Sequence, residues 1–326
     1  MTAGQSFAVG VDIGGTNMSA AVVQASDGAV VAHETIATLS IQGADDGMRR
    51  LLACIDRVVQ RAPVGWDAIA GIGVGCTGPL DIARGLIQNP FTLPGWDDLP
   101  IVPMLAAAFD KPVLLLNDAH AAALGEHQIG AGRGTQHMIY LTISTGIGSG
   151  LILDGRLYQG RRGLAGEVGH HAIALDGIPC YCGRQGCWEM YASGPAIATR
   201  AQTRVTPDSP LWAEAAGQPE TITARMVGAA AQRGDALAIE LLHETGMYIG
   251  VGIANLINTL APEMVVLGGG VMQSHTFLLP ALHATIQQQH YAEHAAEVHI
   301  VLAQLGLHAG VIGAAFGILR MLSHIL

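Results

Sequence analysis

Two segments of the chain repeat one design, in which an apolar strand runs into a glycine-rich turn. The first reads Phe7-Ala-Val-Gly-Val-Asp-Ile-Gly-Gly-Thr16, and the second reads Met138-Ile-Tyr-Leu-Thr-Ile-Ser-Thr-Gly-Ile-Gly-Ser-Gly150. Each is followed by further short apolar runs around an Asp-Gly turn, at Asp27 and at Asp154. The repetition predicts two related halves that face each other, each opening with a strand and a hairpin.

Helical and strand patterns alternate along the rest of the chain. Helical spacing covers Ala44–Arg61, Ile101–Phe109 and a segment from Asp118, whereas Ala70–Gly75 and Val113–Leu116 have the character of buried strands. This alternation predicts mixed α/β domains with helices packed on the sheets. In the second half we predict helices at Pro195–Thr203, Thr223–Gln232, Asp235–Leu260, Phe277–Gln289 and His308–Leu322, strands at Met264–Leu267 and Val298–Leu302, and a surface excursion at Thr206–Glu220.

Length and charge narrow the class of protein. A chain of 326 residues exceeds the size at which one core usually keeps growing, so two domains are expected. Half of the residues are apolar and 13% are charged, which is typical of a folded protein with large cores. The net charge of -10 argues against nucleic acid or an anionic membrane surface as a partner, because both attract clustered Lys and Arg. Small-molecule partners are favoured.

Neither end of the chain suggests a membrane or an export signal. Met1–Ser6 leads into the first strand without a basic region followed by an apolar core. The apolar run Val251–Leu267 contains two asparagines, a proline and a glutamate, so it does not resemble a membrane span. Two of the five cysteines, Cys54 and Cys76, lie in apolar surroundings and are expected to be buried thiols rather than disulfide partners. A reducing, cytoplasmic location is therefore expected.

The other three cysteines form a cluster with a histidine. The spacing His-x9-Cys-x-Cys-x4-Cys, formed by His170, Cys180, Cys182 and Cys187, matches the ligand set of a closed tetrahedral zinc site. A neutral imidazole can ligate zinc through one nitrogen and hydrogen-bond a ligand through the other, which would give His170 two roles. The adjacent His171 is expected to be a surface or supporting residue.

Two carboxylates accompany this cluster although a structural zinc knuckle does not need them. Glu167 lies three residues before His170, and Glu189 follows Cys187 by two. A metal-fixed loop would hold both side chains near the ion in a set orientation. The sequence favours a loop whose acidic residues act on a ligand, with a purely structural knuckle as the alternative.

The glycine-rich turns offer backbone amides to an anion. At Asp12-Ile-Gly-Gly-Thr16 and Ser144-Thr-Gly-Ile-Gly-Ser-Gly150, glycine permits close approach by a phosphate, and two such turns in matching contexts indicate a nucleotide held from both sides of a cleft. Gly268-Gly-Gly270 ends another strand and could let a purine or ribose lie against the backbone. A strand-to-helix turn that needs positive φ is an equal alternative there.

A carboxylate opens the helix that follows the strand Val113–Leu116. Asp118 could simply cap that helix, since this is a common role for aspartate. Ligands also bind at the ends of strands in α/β sheets, where a carboxylate can accept a proton from a substrate hydroxyl. Two Gly/Pro-rich loops, Gly73–Asp81 and Asn89–Trp96, could shape the same pocket, although Asn89 and Trp96 could equally be ordinary loop residues around a buried aromatic anchor.

Taken together, these motifs resemble the ROK family of bacterial sugar kinases and related repressors. The resemblance rests on Asp12-Ile-Gly-Gly-Thr16, on Asn117-Asp118-Ala with the following Ala-Ala-Ala-Leu-Gly-Glu, on Gly166-Glu-Val-Gly-His170, and on the cysteine block ending at Glu189. It runs through almost the whole chain. Repressor members carry an N-terminal helix-turn-helix domain, whereas here the first phosphate loop begins by residue 12, so the kinase branch is favoured.

The resemblance implies a fold of two RNase H-like, actin/hexokinase-type α/β domains around a central cleft, with a zinc-binding loop. The expected boundaries are residues 1–118, completed by about 308–326, for the small domain and 119–307 for the large one, with the zinc loop at 167–189.

The resemblance also implies site roles. It makes Asp118 the catalytic base, and Asp12 would help to position Mg²⁺ through water. The residues implied to bind the sugar are Gly78, Asn117, Asp118, Glu167, His170 and Glu189. Those implied to bind ATP are Asp12, Gly14, Gly15, Thr16, Thr145, Gly146, Gly148, Gly268, Gly269 and Gly270. The implied zinc ligands are His170, Cys180, Cys182 and Cys187.

Two positions differ from patterns within the family, and a third is informative. Many glucokinase-type relatives have Pro-Asn-Leu-x-x-Trp where this chain reads Phe91-Thr-Leu-Pro-Gly-Trp96, which leaves open whether Asn89 or Thr92 contacts the sugar. Asn17 replaces a lysine found in other members. Glu167 is informative because N-acetylmannosamine kinases of this type often have histidine there.

These expectations combine into ATP-dependent phosphorylation of a hexose at its 6-hydroxyl, with glucose as the first choice. The cofactors would be ATP, Mg²⁺ and structural Zn²⁺, and the protein would form a homodimer or higher homo-oligomer. The alternatives are a kinase for N-acetylglucosamine, mannose, fructose or N-acetylmannosamine, a non-catalytic sugar-sensing protein of the same fold, or a zinc-dependent hydrolase, which would need an open metal position.

Overall fold

The computed structural model describes residues 7–90, 92–289 and 297–325. The N-terminal segment Met1–Ser6 and Phe91, both used in the sequence argument, lie outside the described residues. Contacts between Cα atoms divide the chain into two compact units. The first comprises residues 1–136, 150–165 and 303–326, and the second comprises 137–149 and 166–302.

The first sheet confirms the strand predicted before the first glycine turn. Its order is β3-β2-β1-β4-β7, with β1 antiparallel to β2 and parallel to β4. The side chains of β1 alternate between the two faces, with Val9 and Val11 in one core cluster and Ala8 in another. The strands are β1 (Phe7–Ile13), β2 (Asn17–Gln24), β3 (Val30–Ala37), β4 (Ile69–Cys76) and β7 (Val113–Asn117), and a separate small sheet pairs β5 (Leu80–Asp81) with β6 (Leu86–Ile87).

Helices cover both faces of this sheet. Helix α1 (Ala44–Arg61) buries a stripe with three- and four-residue spacing, and its Asp45 and Asp46 at the start and Arg61 at the end match the helix dipole. This helix and α2 (Ile101–Phe109) pack against the core that contains Val9, whereas α10 (Ala309–Ile325) packs on the opposite face. Helix α3 (Asp118–Ile129) packs along α10.

Helix α10 lies so close to the sheet that two strands need glycine beneath it. A Cβ at Gly10 would be 1.8 Å from the carbonyl oxygen of Val311, and one at Gly73 would be 1.8 Å from that of Ala314. Backbone atoms cannot yield in the way that a flexible side chain can.

We therefore expect Gly73→Ala to lower the free energy of unfolding of the first unit by about 3 kcal/mol, because the methyl group must push α10 away from β4. Chemical denaturation measures this change. Gly65→Ala is the matched control, since no atom lies within 4 Å of a Cβ there, and it should be within about 0.5 kcal/mol of the wild type. Equal stability of the two variants would contradict the close packing of α10.

The second sheet has the order β10-β9-β8-β11-β12, in which β10 is antiparallel to β9, and β11 is parallel to both β8 and β12. This is the arrangement of the first sheet repeated, so the expectation of two related α/β halves is confirmed. The strands are β8 (Met138–Ile143), β9 (Ile147–Leu153), β10 (Arg156–Tyr158), β11 (Met264–Gly268) and β12 (His299–Leu302).

Four of the described helices in the second unit begin at side-chain caps. Ser193, Ser209, Thr223 and Asp235 each accept a hydrogen bond from a backbone N–H in the first turn of the helix that follows. Helix α8 is the long helix expected from Asp235 onward. The helices are α4 (Glu189–Ala192), α5 (Gly194–Arg204), α6 (Pro210–Glu214), α7 (Ala224–Gln232), α8 (Ala236–Leu260) and α9 (His275–Gln289).

Two expectations from the sequence need adjustment. The segment Thr206–Glu220 is not only an excursion, because it contains α6, whose Leu211 is fully buried. The contact units also differ from a boundary after residue 118, since α3 packs along α10 and is grouped with the first unit. The segment Gly306–Ser323 is long and apolar enough to cross a membrane, but 61% of it is buried in the fold, where α10 covers the first sheet.

Candidate functional site

The predicted metal ligands come together in the second unit. The candidate ligand atoms of His170, Cys180, Cys182 and Cys187 all lie within 4.8 Å of one another. The Sγ atoms of Cys182 and Cys187 are 3.6 Å apart, and Cys180 Sγ lies 3.7 Å from His170 Nδ1. Tetrahedral zinc with bonds of about 2.3 Å to sulfur separates two sulfurs by about 3.8 Å. The donor set and its spacing therefore fit a closed zinc site, in which four side chains fill every position.

The loop that carries these ligands has little regular structure. Isolated β-bridges join Ala172 to Cys187 and Pro179 to Gln185, and glycine is required at Gly186, where φ is 73° and a Cβ would lie 1.7 Å from the Ala174 carbonyl oxygen. The loop ends at Trp188, whose buried indole Nε1 donates a hydrogen bond to the Tyr248 carbonyl oxygen at 2.8 Å.

The thiols of the cluster differ in acidity. A hydrogen bond from the Arg184 backbone lowers the pKa of Cys182 to about 6, whereas burial raises the pKa of Cys187 to about 12. Zinc binds thiolates, and a bound cation favours the deprotonated form of every cysteine that it contacts.

Glu189 follows the cluster and is buried, with 7% of its surface exposed. Its Oε2 accepts a hydrogen bond from the Ile147 N–H at 2.8 Å, at the end of the second glycine turn. The Tyr181 hydroxyl is also hydrogen-bonded to this carboxylate. The predicted sugar ligand Glu189 and the predicted ATP ligand Gly146 are therefore neighbours, since a Cβ at Gly146 would lie 2.3 Å from Oε2.

A cavity of about 350 Å³ opens beside the same turn. Ser144 and Thr145 line it from the turn, and Gly270 lines it from the end of β11. Gly269, at φ 91°, makes the strand-to-helix turn that needs positive φ, whereas the approach of a purine or ribose to the Gly268–Gly270 motif stays a prediction. The remaining lining residues are Gly194, Pro195, Ile197, Ala224, Arg225, Gly228, Ala229, Gln232, Leu242, Val271, Gln273 and Ser274.

Two other predicted site residues of the second unit, Gly148 and Glu167, lie in segments close to the glycine turn and to the metal ligands in the sequence. Gly148 lies in β9, the strand that begins just after the Ser144–Gly146 turn. Glu167 immediately precedes a short 3-10 helix formed by Val168–His170, and its carbonyl oxygen accepts the His170 N–H at 3.2 Å.

Two carboxylates interact in the first unit. Asp12 lies near the carboxyl end of β1, and burial together with the charge of Asp118 raises the pKa of Asp12 to about 7. Burial also raises the pKa of Asp118, although the Ala119 N–H and the nearby His120 oppose the shift. Both groups are therefore more readily protonated than ordinary aspartates, and a bound cation would reverse this.

Asp118 is not the N-cap of α3, a role that the sequence left open for it. Asn117 is the N-cap of α3, and its Oδ1 accepts hydrogen bonds from the N–H groups of Ala119 at 2.9 Å and His120 at 3.4 Å. Asp118 is the first helical residue, and its Oδ1 accepts the N–H of Ala119 at 2.7 Å. Its second carboxylate oxygen is not needed to cap the helix.

The first glycine turn lies in the same unit. Its Gly14 N–H donates to the Asn17 carbonyl oxygen at 2.9 Å, and the Thr38 N–H donates to the Thr16 carbonyl oxygen at 2.8 Å. A Cβ at Gly15 would lie 2.8 Å from the Thr92 carbonyl oxygen. Thr92 thus lies against this turn.

The two Gly/Pro-rich loops of the first unit hold their residues in different environments. Asn89 is exposed, at φ 39°. Trp96 is fully buried, which confirms it as the aromatic anchor. At Gly78, which precedes a cis proline, a Cβ would be 3.8 Å from Asn117 Nδ2.

Sequence reasoning missed His120 and Tyr181. His120 is 1% exposed, and its Nε2 is 2.9 Å from the Ala165 carbonyl oxygen, just before Gly166-Glu167 in the sequence. Burial lowers its pKa, so the neutral ring with hydrogen on Nε2 fits this contact. No sequence spacing marks either residue. The partner of His120, Ala165, is distant in the sequence, and the partner of Tyr181, Glu189, lies across the cysteine loop.

The pKa shift of Asp12 gives a stability prediction. Its folded-state pKa exceeds the ordinary value of 3.8, so its contribution to stability is full below that pH and is lost as the pH rises toward 7. We expect Asp12→Asn to be more stable than the wild type at pH 8, by on the order of 2 kcal/mol after allowance for partial solvation. The difference should narrow at pH 5.

Urea denaturation at both pH values, without divalent cations, measures this difference. An Asp12→Asn variant no more stable than the wild type at pH 8 would contradict the burial of a costly charge at this position. Asp110→Asn is the control, because Asp110 is exposed and should show no such pH-dependent gain.

Two α/β units with one strand order, two glycine-rich turns and a Cys3His loop that could hold zinc define the class of protein to which this chain belongs. The sequence model of the ROK family matches residues 8–320, and the chain belongs to that family.

Relatives cover nearly the whole chain. The glucokinase of Streptomyces coelicolor is 32% identical over 312 residues, which are 94% of this chain and 96% of that protein. The N-acetylmannosamine kinase of Yersinia pestis is 35% identical over 263 residues, or 80% and 82% of the two chains. Among solved structures, a ROK family glucokinase from Streptomyces griseus in complex with glucose and AMPPNP superposes with a TM-score of 0.83 at 31% identity, covering 95% of this chain and 98% of that one.

Proposed function

We propose that this protein is an ATP-dependent sugar kinase that transfers the γ-phosphoryl group to the 6-hydroxyl of a hexose, with glucose as its principal substrate. The single observation that carries the proposal is the environment of Asp118. A carboxylate at the carboxyl end of a strand, relieved of capping by Asn117 and with a raised pKa, suits a base that accepts a hydroxyl proton. The glucokinase relatives support the choice of chemistry and of substrate.

In the proposed mechanism the protein mainly aligns and stabilises the reactants. Phosphoryl transfer passes through a loose transition state with charge on the phosphoryl oxygens, so oriented donors matter more than covalent chemistry. The hexose oxygen attacks the γ-phosphorus, the bond to the β-phosphate oxygen breaks, and Asp118 accepts the hydroxyl proton. ADP leaves with the electron pair of the broken bond.

Each unit contributes its own part. In the second unit, the cavity beside Ser144 and Thr145 would hold the nucleotide, and Arg225 supplies a positive side chain on its wall. In the first unit, the amides at Gly15 and Thr16 would donate to phosphate oxygens. Asn117, Gly78, Glu167, His170 and Glu189 are the proposed sugar ligands.

The metal requirements follow from the donor sets. Mg²⁺ supplies charge neutralisation on the transferred phosphoryl group, and the carboxylate of Asp12, whose charge is costly without a cation, fits a role in holding its water shell. The Cys3His cluster fits zinc in a structural role, where it would fix the loop between Glu167 and Glu189.

A sugar panel tests the function and its substrate. Purified protein with ATP and Mg²⁺ is assayed for ADP release with glucose, N-acetylglucosamine, mannose, fructose and N-acetylmannosamine, and kcat/KM is compared. We expect glucose to give the highest value and ADP release without sugar to be negligible. A higher kcat/KM for another hexose would overturn the substrate, and sugar binding without ADP release from any of them would overturn the kinase in favour of a sugar-sensing protein.

A further inference from the structure

One buried carboxylate connects the zinc loop to the turn beside the cavity. Glu189 Oε2 accepts the Ile147 N–H at 2.8 Å, and the Tyr181 hydroxyl is hydrogen-bonded to the same carboxylate. Both Glu189 and Ile147 are buried, at 7% and 5% exposure. An N–H at such a position is costly to leave without an acceptor, so this hydrogen bond constrains where the turn can lie.

The turn itself is short and depends on outside partners. Ser144 N–H donates to the Gly146 carbonyl oxygen at 2.9 Å, and the Gly194 N–H donates to the Ser144 carbonyl oxygen at 2.7 Å. Because Ser144 and Thr145 line the cavity, a shift of the turn would change the cavity wall. The contact from Glu189 holds the end of the turn where β9 begins.

The position of Glu189 is in turn set by the loop. Glu189 follows the ligand Cys187 by two residues, and Tyr181 lies between Cys180 and Cys182. The ring of Tyr181 packs edge-on against that of His170, with 5.5 Å between their centroids. Fixing the four ligands therefore fixes the backbone at Glu189 and the ring of Tyr181, which together orient the carboxylate.

We infer that Glu189 is a positioning residue for the nucleotide, which transmits the order of the zinc loop to the Ser144–Gly146 turn through its hydrogen bond with Ile147. The inference rests on the proposed function in that the cavity binds the phosphate donor. It adds a role that differs from sugar binding, because through Oε2 the carboxylate acts on the Ile147 N–H of the turn and not on a hexose.

Three substitutions separate the hydrogen bond from the charge. Glu189→Gln keeps the length and an oxygen that can accept the Ile147 N–H, but it removes the charge. Glu189→Asp keeps the charge but withdraws the carboxylate by one methylene, and Glu189→Ala removes both. The readouts are the Kd of AMPPNP with Mg²⁺ in the absence of sugar, zinc content, and hydrogen exchange of the Ile147 amide.

With zinc retained, we expect nucleotide affinity about tenfold weaker for Glu189→Ala and Glu189→Asp and within about twofold of the wild type for Glu189→Gln. The Ile147 amide should exchange faster in the first two variants alone. If Glu189→Ala does not fold, Glu189→Asp carries the comparison with Glu189→Gln.

An unchanged Kd in Glu189→Asp would overturn the inference, as would a loss in Glu189→Gln equal to that in Glu189→Asp. Failure of the wild type to bind AMPPNP would instead refute the proposed function, so the two failures are distinguishable.

Discussion

Asp118→Asn should lower kcat by about three orders of magnitude, while the protein folds and binds sugar with an affinity close to that of the wild type. The substitution preserves the shape of the side chain and the acceptor for the Ala119 N–H. Asn117 continues to cap α3, so the helix keeps its start. What is lost is a group that can take the hydroxyl proton, since an amide is not a base at neutral pH.

Burial of the Asp118 carboxylate also predicts how kcat/KM depends on pH. Because it raises the pKa of Asp118, the ionised fraction falls as the pH falls, and the acid limb of the kcat/KM profile should lie above the ordinary range of aspartate. Residual activity of Asp118→Asn should lack this limb. Steady-state assays across pH measure both effects, and Asp110→Asn, at an exposed helix end, should remain within about twofold of the wild type. A kcat near that of the wild type in Asp118→Asn would remove Asp118 as the base.

Cys187→Ser should release the metal and destabilise the second unit by on the order of 5 kcal/mol. The Cys187 thiol is fully buried, and the loop around it is held by isolated bridges and loop hydrogen bonds rather than by a sheet or a long helix, so zinc bound to the four ligands would be a principal cross-link. Loss of that link should disorder Glu167 and Glu189 together, and the KM for sugar should rise by at least about tenfold.

Metal analysis, thermal unfolding and sugar KM test this prediction on the same preparations. Cys54→Ser is the matched control, because Cys54 is an equally buried thiol in the first unit, outside the cluster. Whatever its stability, that variant should retain about one zinc per chain. Retained zinc together with an unchanged sugar KM in Cys187→Ser would contradict the role of the loop.

The sequence predicts much of the fold because its signals are local. The apolar spacing in Ala44–Arg61, the strand before the first glycine turn and the spacing of the Cys3His ligands each depend on residues near one another in the chain. The repeated strand-and-turn design likewise predicts two related halves, and the two sheets share one strand order.

The features that the sequence does not predict depend on long-range contacts. No pattern shows that α10 approaches the sheet at Gly10 and Gly73, because this contact joins opposite ends of the chain. The bond between Glu189 and Ile147 spans 42 positions, and the choice between Asp118 and Asn117 as the cap depends on backbone geometry. The location in the cytoplasm, the oligomeric state and the ligand roles of the individual site residues remain predictions.

A crystal structure with glucose and a nonhydrolysable ATP analogue tests the assignment of Asp118 as the base. We expect a carboxylate oxygen of Asp118 to lie within about 3.2 Å of the 6-hydroxyl, with that hydroxyl directed at the γ-phosphorus. A complex in which the Asp118 side chain contacts no oxygen of the sugar would contradict it.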